Sequence, residues 1–570
     1  MLELKKLVSK ALEKELKVHG FSGEQILEML EAPPSKELGD IAFPVFKLAP
    51  IYKKAPVEIA KELAAKIQPG KEITKVMPAG PYVNFFVDQS FLGKKTLEDV
   101  FGKNFGESTA NKGKKIVLEY SQPNTNKPLH VGHLRNNALG MAISNLLELT
   151  GAKVTKVDLF NDRGIHICQS MLAYKKWGNN SNPEKEGLKS DHFVGKFYVL
   201  YHKMEKELPE LKEELTEMLQ NWEKGDKETL VLWKKMNAWA ENGFLETYKE
   251  FGSEFDHRFK ESEFFRQAQP IIELGVKKGV FVKDEENSVI CDLEGFGLGK
   301  KTILRADGTS VYVTQDLALA KIKFDKFRFD RSVYVVASEQ NTYFKQLFKI
   351  LELLGFAWSS KLFHLSYGLV NLREGKLKSR EGKIIDADNL IKDVKELARK
   401  EIVSRFPGLP EKEVEKRARE ICLAAIKFYM LKTDAVKDTL FEPDKTVSFE
   451  GDTGPYLQYT YARAKSIERK AKSAKKSKEQ TAFSEEENAV LALISRFPEI
   501  VSASAEGFST HTLANYLLEL ASSFNSFYHK QRVISDQNEF YPQRLELVKA
   551  TAVVLKKGLN ALNINVLEEM

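Results

Sequence analysis

Two histidines three residues apart, His130 and His133, are the first residues in this 570-residue chain whose spacing suggests chemistry. They follow an apolar run at 116–118 that predicts a buried strand, and they begin a stretch with apolar residues at helical spacing. The run 153–160 predicts a second strand, so the unit is the parallel crossover of a nucleotide-binding sheet. The helix start favours an anion, Gly132 would let a ligand approach the backbone, and imidazoles can bind phosphate. Alternatively, both histidines are helix caps or surface groups.

A cationic loop at residues 375–382, Gly-Lys-Leu-Lys-Ser-Arg-Glu-Gly, follows a strand-like run at 364–370. Such a run is usually a solvated basic turn. It could instead be a mobile loop that closes on a triphosphate and stabilises negative charge as pyrophosphate leaves. The histidine pair earlier in the chain favours the second interpretation.

Together the two motifs resemble the paired signatures of class I aminoacyl-tRNA synthetases, HIGH and KMSKS. Within that class the chain resembles the arginyl-tRNA synthetases in three segments. Residues 119–135 are similar to that family's longer form of the first signature. Residues 449–463 resemble the segment that leads into its C-terminal helical domain, and 78–86 resemble a motif of its N-terminal appended domain. The resemblance spans almost the whole chain.

The fold that this resemblance implies is α/β. We expect a Rossmann-like parallel-sheet catalytic domain at 111–407, an N-terminal α+β appended domain at 1–110 and a C-terminal all-helical anticodon-binding domain at 408–570. Leucines at helical spacing predict a helix at the start of the chain, and an apolar run predicts a strand at 82–87. Charged, leucine-containing segments at about 171–265 predict a helical insertion in the catalytic domain.

The composition is compatible with these expectations without being specific. A net charge of +7 suits a nucleic-acid partner, but 87 cations against 80 anions is a mild excess that many soluble enzymes share. The three cysteines, at 168, 291 and 422, form no CxxC pair, which indicates neither a disulfide framework nor a structural zinc site. No signal-peptide core and no apolar run of membrane-spanning length (about 18 residues) are found, so we expect a cytoplasmic protein without membrane attachment.

The resemblance implies an arginine–tRNA ligase that acts as a monomer on L-arginine, tRNA(Arg) and ATP with Mg²⁺, without a tightly bound metal of its own. In the activation step a carboxylate attacks the α-phosphorus of ATP, so the protein must align the reactants and neutralise phosphate charge. By resemblance, His130 and His133 contact the ATP phosphates and Gly132 gives room for the adenine. The ATP-closing loop would contribute Lys376, Lys378 and Ser379.

The loop departs from the class pattern at one position. Aligned with KMSKS, residues 376–380 read Lys-Leu-Lys-Ser-Arg, so Ser379 stands where the fourth-position lysine is expected. A missing cation would weaken the stabilisation of the transition state. Lys127, three residues before His130, could supply that charge, or it could be a solvated loop lysine.

Arginine as a substrate requires a carboxylate partner, because its guanidinium is planar, permanently charged and donates in a fork. Glu119 ends the first strand, and Asp316 follows a turn at 307–308 and precedes a helix predicted from 317. Asp316 could instead be only an N-cap, and Glu339 could replace its neighbour if the register shifts. By resemblance, the substrate contacts are Glu119, Asn124, Tyr312, Asp316 and Gln340. No second domain of a size suited to editing is evident. This agrees with a site whose carboxylates reject uncharged amino acids strongly enough that proofreading is not needed.

Two segments are expected to meet tRNA. Asn84 and Phe85 resemble family residues at the tRNA elbow, where an amide reads a base edge and an aromatic ring stacks. Phe85 and Phe86 could instead both be core residues. An amphipathic helix predicted at 515–528 would present Tyr528 to the anticodon, although aromatic residues on helix faces are more often core.

Three hypotheses follow: an arginine–tRNA ligase, a synthetase for another amino acid, and a synthetase-derived RNA-binding protein without ligase activity. The flanking motifs and the acidic candidates disfavour the second hypothesis. The histidine pair, Lys127 and the lysine loop disfavour the third, because a binding module does not need them. The resemblance also implies that adenylate formation requires bound tRNA.

Overall fold

A five-stranded parallel sheet in the middle of the chain positions the residues singled out above. It is seen in a computed structural model of the protein. The structure describes six stretches of the chain, 2–31, 33–306, 311–372, 385–477, 483–535 and 539–570.

The N-terminal unit packs helices on a small antiparallel sheet. Its elements are α1 (Leu2–Leu16), α2 (Gly23–Met29), β1 (Ile41–Pro44), α3 (Ala49–Tyr52), α4 (Pro56–Lys66), β2 (Ile73–Ala79) and β3 (Tyr82–Val87). The strands lie in the order β1-β3-β2. The leucines of α1 are buried at one-turn spacing, and β3 spans the run predicted as a strand, so both expectations are confirmed.

The next helix, α5 (Gln89–Val100), packs on the C-terminal helices. The approach is close at Gly93, where an added Cβ would lie 2.5 Å from the ring of Phe483 and 2.9 Å from Leu491. Although α5 lies within the predicted N-terminal domain, it therefore belongs to the packing of the C-terminal helices.

The parallel sheet and its crossovers follow. The elements up to the last insertion helix are β4 (Lys115–Glu119), α6 (Val131–Leu149), β5 (Lys153–Phe160), α7 (Ile165–Trp177), α8 (Pro183–Glu186), α9 (Ser190–Met204), α10 (Leu211–Lys224) and α11 (Lys227–Phe251). The β4–α6–β5 crossover confirms the predicted strand–turn–helix–strand unit. Ile116 and Leu118 of β4 face one apolar core and Val117 faces another, so both faces of the sheet are covered.

The second part of the catalytic region returns to the sheet. Its elements are β6 (His257–Lys260), α12 (Glu261–Phe264), α13 (Gln269–Lys277), β7 (Val282–Lys283), β8 (Val289–Asp292), β9 (Lys300–Leu304), α14 (Tyr312–Phe327), β10 (Arg331–Ala337), α15 (Asn341–Leu353), β11 (Leu362–Tyr367) and β12 (Val370–Leu372). The sheet order is β11-β10-β4-β5-β6. From β4 the chain adds β5 and β6 on one side of the sheet and then β10 and β11 on the other side. In open parallel sheets, ligands bind at the carboxyl ends of the strands where the strand order changes direction in this way.

Two local expectations in this region are wrong. The edge strand β6 lies within the stretch predicted as helical, because its sequence His-Arg-Phe-Lys contains one apolar residue and gives no strand signal. Helix α14 begins at Tyr312 and not at 317. Its first turn contains β-branched residues that favour a strand locally, but Val313 and Thr314 are buried and the packing determines the helix.

The C-terminal region is helical as expected, apart from three short strands. Its elements are α16 (Ala387–Arg405), α17 (Glu411–Leu431), β13 (Thr439–Phe441), α18 (Pro443–Thr446), α19 (Gly454–Ala471), β14 (Lys475–Lys476), α20 (Glu485–Glu506), α21 (Thr510–Lys530), β15 (Glu539–Phe540) and α22 (Pro542–Ala561). Its core is continuous with the core on one face of the parallel sheet. Within the described stretches, no helix has the length and apolar character needed to cross a membrane.

Candidate active site

The histidine pair forms the N-terminal cap of α6. His130 is the cap residue, and its Nδ1 accepts a hydrogen bond of 3.1 Å from the Gly132 amide. The His130 amide in turn donates to Nδ1 of His133 at 3.1 Å. Since Nδ1 is the acceptor in both rings, a neutral ring carries its proton on Nε2. The predicted cap and the predicted phosphate contact are therefore compatible, because each ring caps the helix with one nitrogen and keeps N–H on the other.

Both rings are held neutral. Burial, with the nearby charge of Lys127, lowers the pKa of His130 to about 4. Burial also lowers the pKa of His133 well below its usual value, with smaller contributions from His130 and Lys127. At neutral pH the pair thus offers two N–H donors without positive charge.

Steric contact with His130 disfavours a side chain at Gly132. A Cβ there would lie 2.9 Å from Cε1 and 3.0 Å from Nδ1 of His130. The close approach of the capping ring therefore favours glycine, in addition to the room that the resemblance assigns to adenine.

Lys127 lies on the segment between β4 and α6, which the insertion helices hold in place. Gly195 of α9 allows the contact, because an added Cβ would lie 2.7 Å from Pro128. Thr125 also donates a hydrogen bond to Asn237 of α11. Burial lowers the pKa of Lys127, and none of the described acidic residues forms an ion pair with it. A partly buried, uncompensated ammonium beside the histidine pair suits a phosphate ligand.

Lys376, Lys378 and Ser379 lie outside the described residues, but both flanks of their loop contact the histidine helix. On the far flank, the Val131 amide donates to Ile385 O at 2.9 Å. On the near flank, the buried guanidinium of Arg135 donates to Gly368 O at 2.8 Å and Leu369 O at 3.2 Å. The same guanidinium also donates to two carbonyls that precede β13.

A cavity of about 710 Å³ opens at the carboxyl end of β4. All five residues expected to contact arginine line it: Glu119, Asn124, Tyr312, Asp316 and Gln340. Among the described residues Glu339 is not part of the lining, which favours the predicted register at Gln340. The sequence did not single out several further lining residues: Gln122, Asn161, His166, Lys301 and Tyr343.

Glu119 is neutralised by a partner that we did not predict. Lys323 of α14 places its Nζ 2.7 Å from Glu119 Oε2, and Gln122 Nε2 donates to Oε1 at 3.2 Å. The Lys323 ammonium is fully buried and lies 3.6 Å from the ring centroid of Tyr334. Burial lowers the pKa of Lys323, but the Glu119 carboxylate and Tyr334 together outweigh this effect and raise it overall. One signal was available, because Lys323 lies seven residues, or two helical turns, after Asp316.

Asp316 is the fifth residue of α14, so the alternative that it only caps the helix is wrong. It is half-buried and accepts a hydrogen bond from the Tyr343 hydroxyl. Burial raises the pKa of Asp316 to about 6, although the Tyr343 bond opposes the shift. Among the described residues no lysine or arginine forms an ion pair with it. The cavity thus contains one paired and one unpaired carboxylate, and the unpaired one suits a cationic group of a ligand.

Phe85 does not lie on the outer face of the N-terminal sheet, where a contact with tRNA would require it. Val83, Phe85 and Val87 point into the helix-covered core, and the Phe85 ring has no exposed surface. The prediction that Phe85 stacks on a base is therefore contradicted by its burial. Asn84 and the half-buried Phe86 lie on the other face. Asn84 is also buried, at 3% exposure, and its Oδ1 atom has no hydrogen-bond partner in the described chain.

Tyr528 lies at the end of α21, the helix predicted there, and is partly exposed. Its ring lies 5.5 Å from the Arg463 guanidinium and lines a cavity of about 1060 Å³ in the C-terminal region. Arginine and lysine side chains and the last residue, Met570, also line this cavity. The core positions nearest this end of the helix are Phe524 and Phe527, so the alternative that Tyr528 is a core residue is wrong.

One group of possible metal ligands, Asp191, His192 and Asp388, occurs where the insertion meets α16. Lys189 Nζ lies 2.7 Å from Asp388 Oδ2 and 3.2 Å from Asp191 Oδ2. One ammonium thus already forms an ion pair with each of the two carboxylates.

Comparisons with known proteins agree with this geometry over the whole chain. The family description "tRNA synthetases class I (R), catalytic domain" matches residues 97–442. "Arginyl tRNA synthetase N terminal domain" matches 2–87, and "DALR anticodon binding domain" matches 457–570.

Individual relatives match at nearly full length. A protein named arginine–tRNA ligase from Treponema denticola is 43% identical over 557 residues, 95% of this chain and 94% of that protein. Another from Treponema pallidum is 38% identical over 568 residues, 97% and 96% of the two chains. The solved structure of Thermus thermophilus arginyl-tRNA synthetase is 25% identical and covers 100% of both chains with a TM-score of 0.81. The chain therefore belongs to the class I arginyl-tRNA synthetase family.

Proposed function

We propose that the protein is an arginine–tRNA ligase, which activates L-arginine with ATP and transfers it to the 3′ end of tRNA(Arg), releasing AMP and pyrophosphate. The observation that carries this proposal is the cavity at the carboxyl end of β4, where Asp316 is a half-buried carboxylate without an ion-pair partner among the described residues. The names of full-length relatives support the same substrate.

At the arginine end, the guanidinium binds Asp316 and Oε1 of Glu119, the oxygen that Lys323 does not engage and that also accepts from Gln122. Lys323 engages one oxygen of Glu119, so the two carboxylates and this lysine leave about one net negative charge for the substrate. Tyr312, Gln340 and Asn124 supply uncharged contacts around it. An uncharged amino acid would leave Asp316 buried and unpaired, which disfavours its binding.

At the ATP end, an arginine carboxylate oxygen attacks the α-phosphorus while the bond to the pyrophosphate oxygen breaks. The Nε2–H groups of His130 and His133 donate to phosphate oxygens, with Gly132 between them. Lys127 adds a full positive charge. Lys376, Lys378 and Ser379 complete the site from the loop whose flanks contact the same helix. We propose that Mg²⁺ enters with ATP and supplies further positive charge, since the histidines are neutral.

We propose that tRNA(Arg) contacts both ends of the chain. On the N-terminal sheet, the half-buried Phe86 faces it beside Asn84, a buried side chain whose Oδ1 has no hydrogen-bond partner in the described chain. Tyr528 faces the anticodon from the C-terminal cavity. The corresponding division of the chain is 1–110, 111–407 and 408–570. We further propose a cytoplasmic monomer. The three cysteines are all free and buried, as in a reducing compartment.

ATP–pyrophosphate exchange with each amino acid, with and without tRNA, tests the proposal. Exchange with arginine alone among the amino acids is the expected result. Exchange with a different amino acid would indicate another synthetase. Tight tRNA binding without exchange would indicate an RNA-binding protein.

A further inference from the structure

The turn that follows β4 has an unusual backbone. Ser121 and Gln122 have φ angles of +79° and +50°, a left-handed conformation that disfavours residues with a side chain. Two such residues in succession persist only where their surroundings hold them. The turn leads directly into the arginine cavity, which Gln122 lines and whose Glu119 it contacts.

Three buried side chains from three different elements hold this turn. Asn136 of α6 accepts from the Ser121 amide at 2.7 Å, and Asp158 of β5 accepts from the Gln122 amide at 3.1 Å. Tyr248 of α11 donates to Asp158 Oδ2 at 2.9 Å, and its oxygen lies 2.7 Å from Ser121 Oγ. The Tyr248 hydroxyl thus bridges the turn and the carboxylate that anchors it.

We propose that Tyr248 and Asp158 are positioning residues for arginine, which keep the Ser121–Gln122 turn in its left-handed conformation and so hold Gln122 and Glu119 in register; this rests on the proposed function. Neither side chain lines the cavity, so each acts through the turn.

Stabilisation of the fold alone does not explain an aspartate at position 158, because the side chain is buried. Its side chain is fully buried, and among the described residues no lysine or arginine forms an ion pair with it. Burial raises the pKa of Asp158 to about 7, even though the Tyr248 hydroxyl and the Gln122 amide oppose the shift. An apolar side chain would be more favourable for stability at this position, but it could not bind the Gln122 amide.

The test compares Tyr248→Phe with Tyr201→Phe in the full-length protein. Tyr201 of α9 is equally buried, but its hydroxyl has no hydrogen-bond partner among the described residues, so its loss controls for removal of a buried phenol. Aminoacylation is measured with each substrate varied in turn. Tyr248→Phe should raise the KM for arginine roughly tenfold, as expected for one lost hydrogen bond to a charged group, and change the KM for ATP and tRNA less than about twofold.

Two further variants keep the inference open to refutation if the Phe variant folds poorly. Asp158→Asn should stay close to wild type, because an amide can accept from Gln122 and donate to Tyr248. Ser121→Ala removes the turn's buried hydroxyl without adding volume and should raise the arginine KM several-fold. If Tyr248→Phe and Ser121→Ala match Tyr201→Phe, or if all three KM values rise together, the inference is overturned. A wild-type protein that charges no arginine would overturn the proposed function itself.

Discussion

Asp316→Asn tests the charge assignment of the cavity most directly. Asparagine keeps the size of the side chain and can still accept from Tyr343, but it removes the charge offered to the guanidinium. A hydrogen bond to a charged partner contributes about 1.5–3 kcal/mol, so the Kd for arginine should rise about 10- to 150-fold. Calorimetric titration of arginine measures this change. Asp325→Asn, in a surface ion pair on the same helix, is the matched control and should leave the Kd unchanged.

The pH dependence of arginine binding gives an independent readout of the same residue. Asp316 has a pKa of about 6 in the empty cavity, so it is mostly protonated below that pH. To pair with arginine in such solutions it must first lose this proton. The wild-type Kd should therefore rise about tenfold per pH unit below 6, and this slope should disappear in Asp316→Asn.

Stability should respond in the opposite direction from binding. The folded pKa of Asp316 is raised above the unfolded value of about 3.9, so its contribution to stability is present below that value and is lost as the pH rises through about 6. At pH 7.5 the arginine-free variant should be as stable as the wild type or more stable. A lower Tm combined with an unchanged arginine Kd would refute the assignment of Asp316 to the substrate.

The remaining predictions concern ATP and tRNA. His133→Ala and Lys127→Ala should lower kcat for arginyl-adenylate formation strongly and leave the KM for arginine nearly unchanged, because phosphate charge builds up only in the transition state. A raised KM with normal turnover would refute that assignment. Pyrophosphate exchange with arginine should require tRNA, and robust exchange in tRNA-free enzyme would disprove the requirement. Deleting 1–87 should weaken tRNA charging and spare ATP binding. Deleting 1–110 should also lower the Tm, since it removes the helix that packs on the C-terminal core. Equal Tm values for the two truncated proteins would contradict this prediction.

The strand, helix and histidine cap of the proposed ATP site could be predicted because their signals are local. The strand, the glycine and the two histidines lie within one short stretch, and the cap geometry follows from their spacing. The arginine half could be predicted only by resemblance, because Glu119 and Lys323 are 204 residues apart and nothing near either one indicates their pairing. Phe85 and Phe86 illustrate a similar limit. Alternation predicts that one of them is buried, but which one depends on the face that the helices cover.

The proposed ATP and arginine halves of the site also differ in the charge of the groups that line them. The histidines are neutralised by burial and oriented by backbone amides, so the helix start contributes N–H donors without adding to the net charge. In the cavity, by contrast, full charges are buried, and Lys323 must offset Glu119 before Asp316 can define the preferred ligand charge. The buried pair thus serves specificity at the expense of stability, which is the usual balance for ion pairs in protein interiors. In the proposed site, substrate choice therefore depends on residues from distant parts of the chain, while phosphate binding depends on one helix with its cap, on Lys127 and on the loop at 375–382.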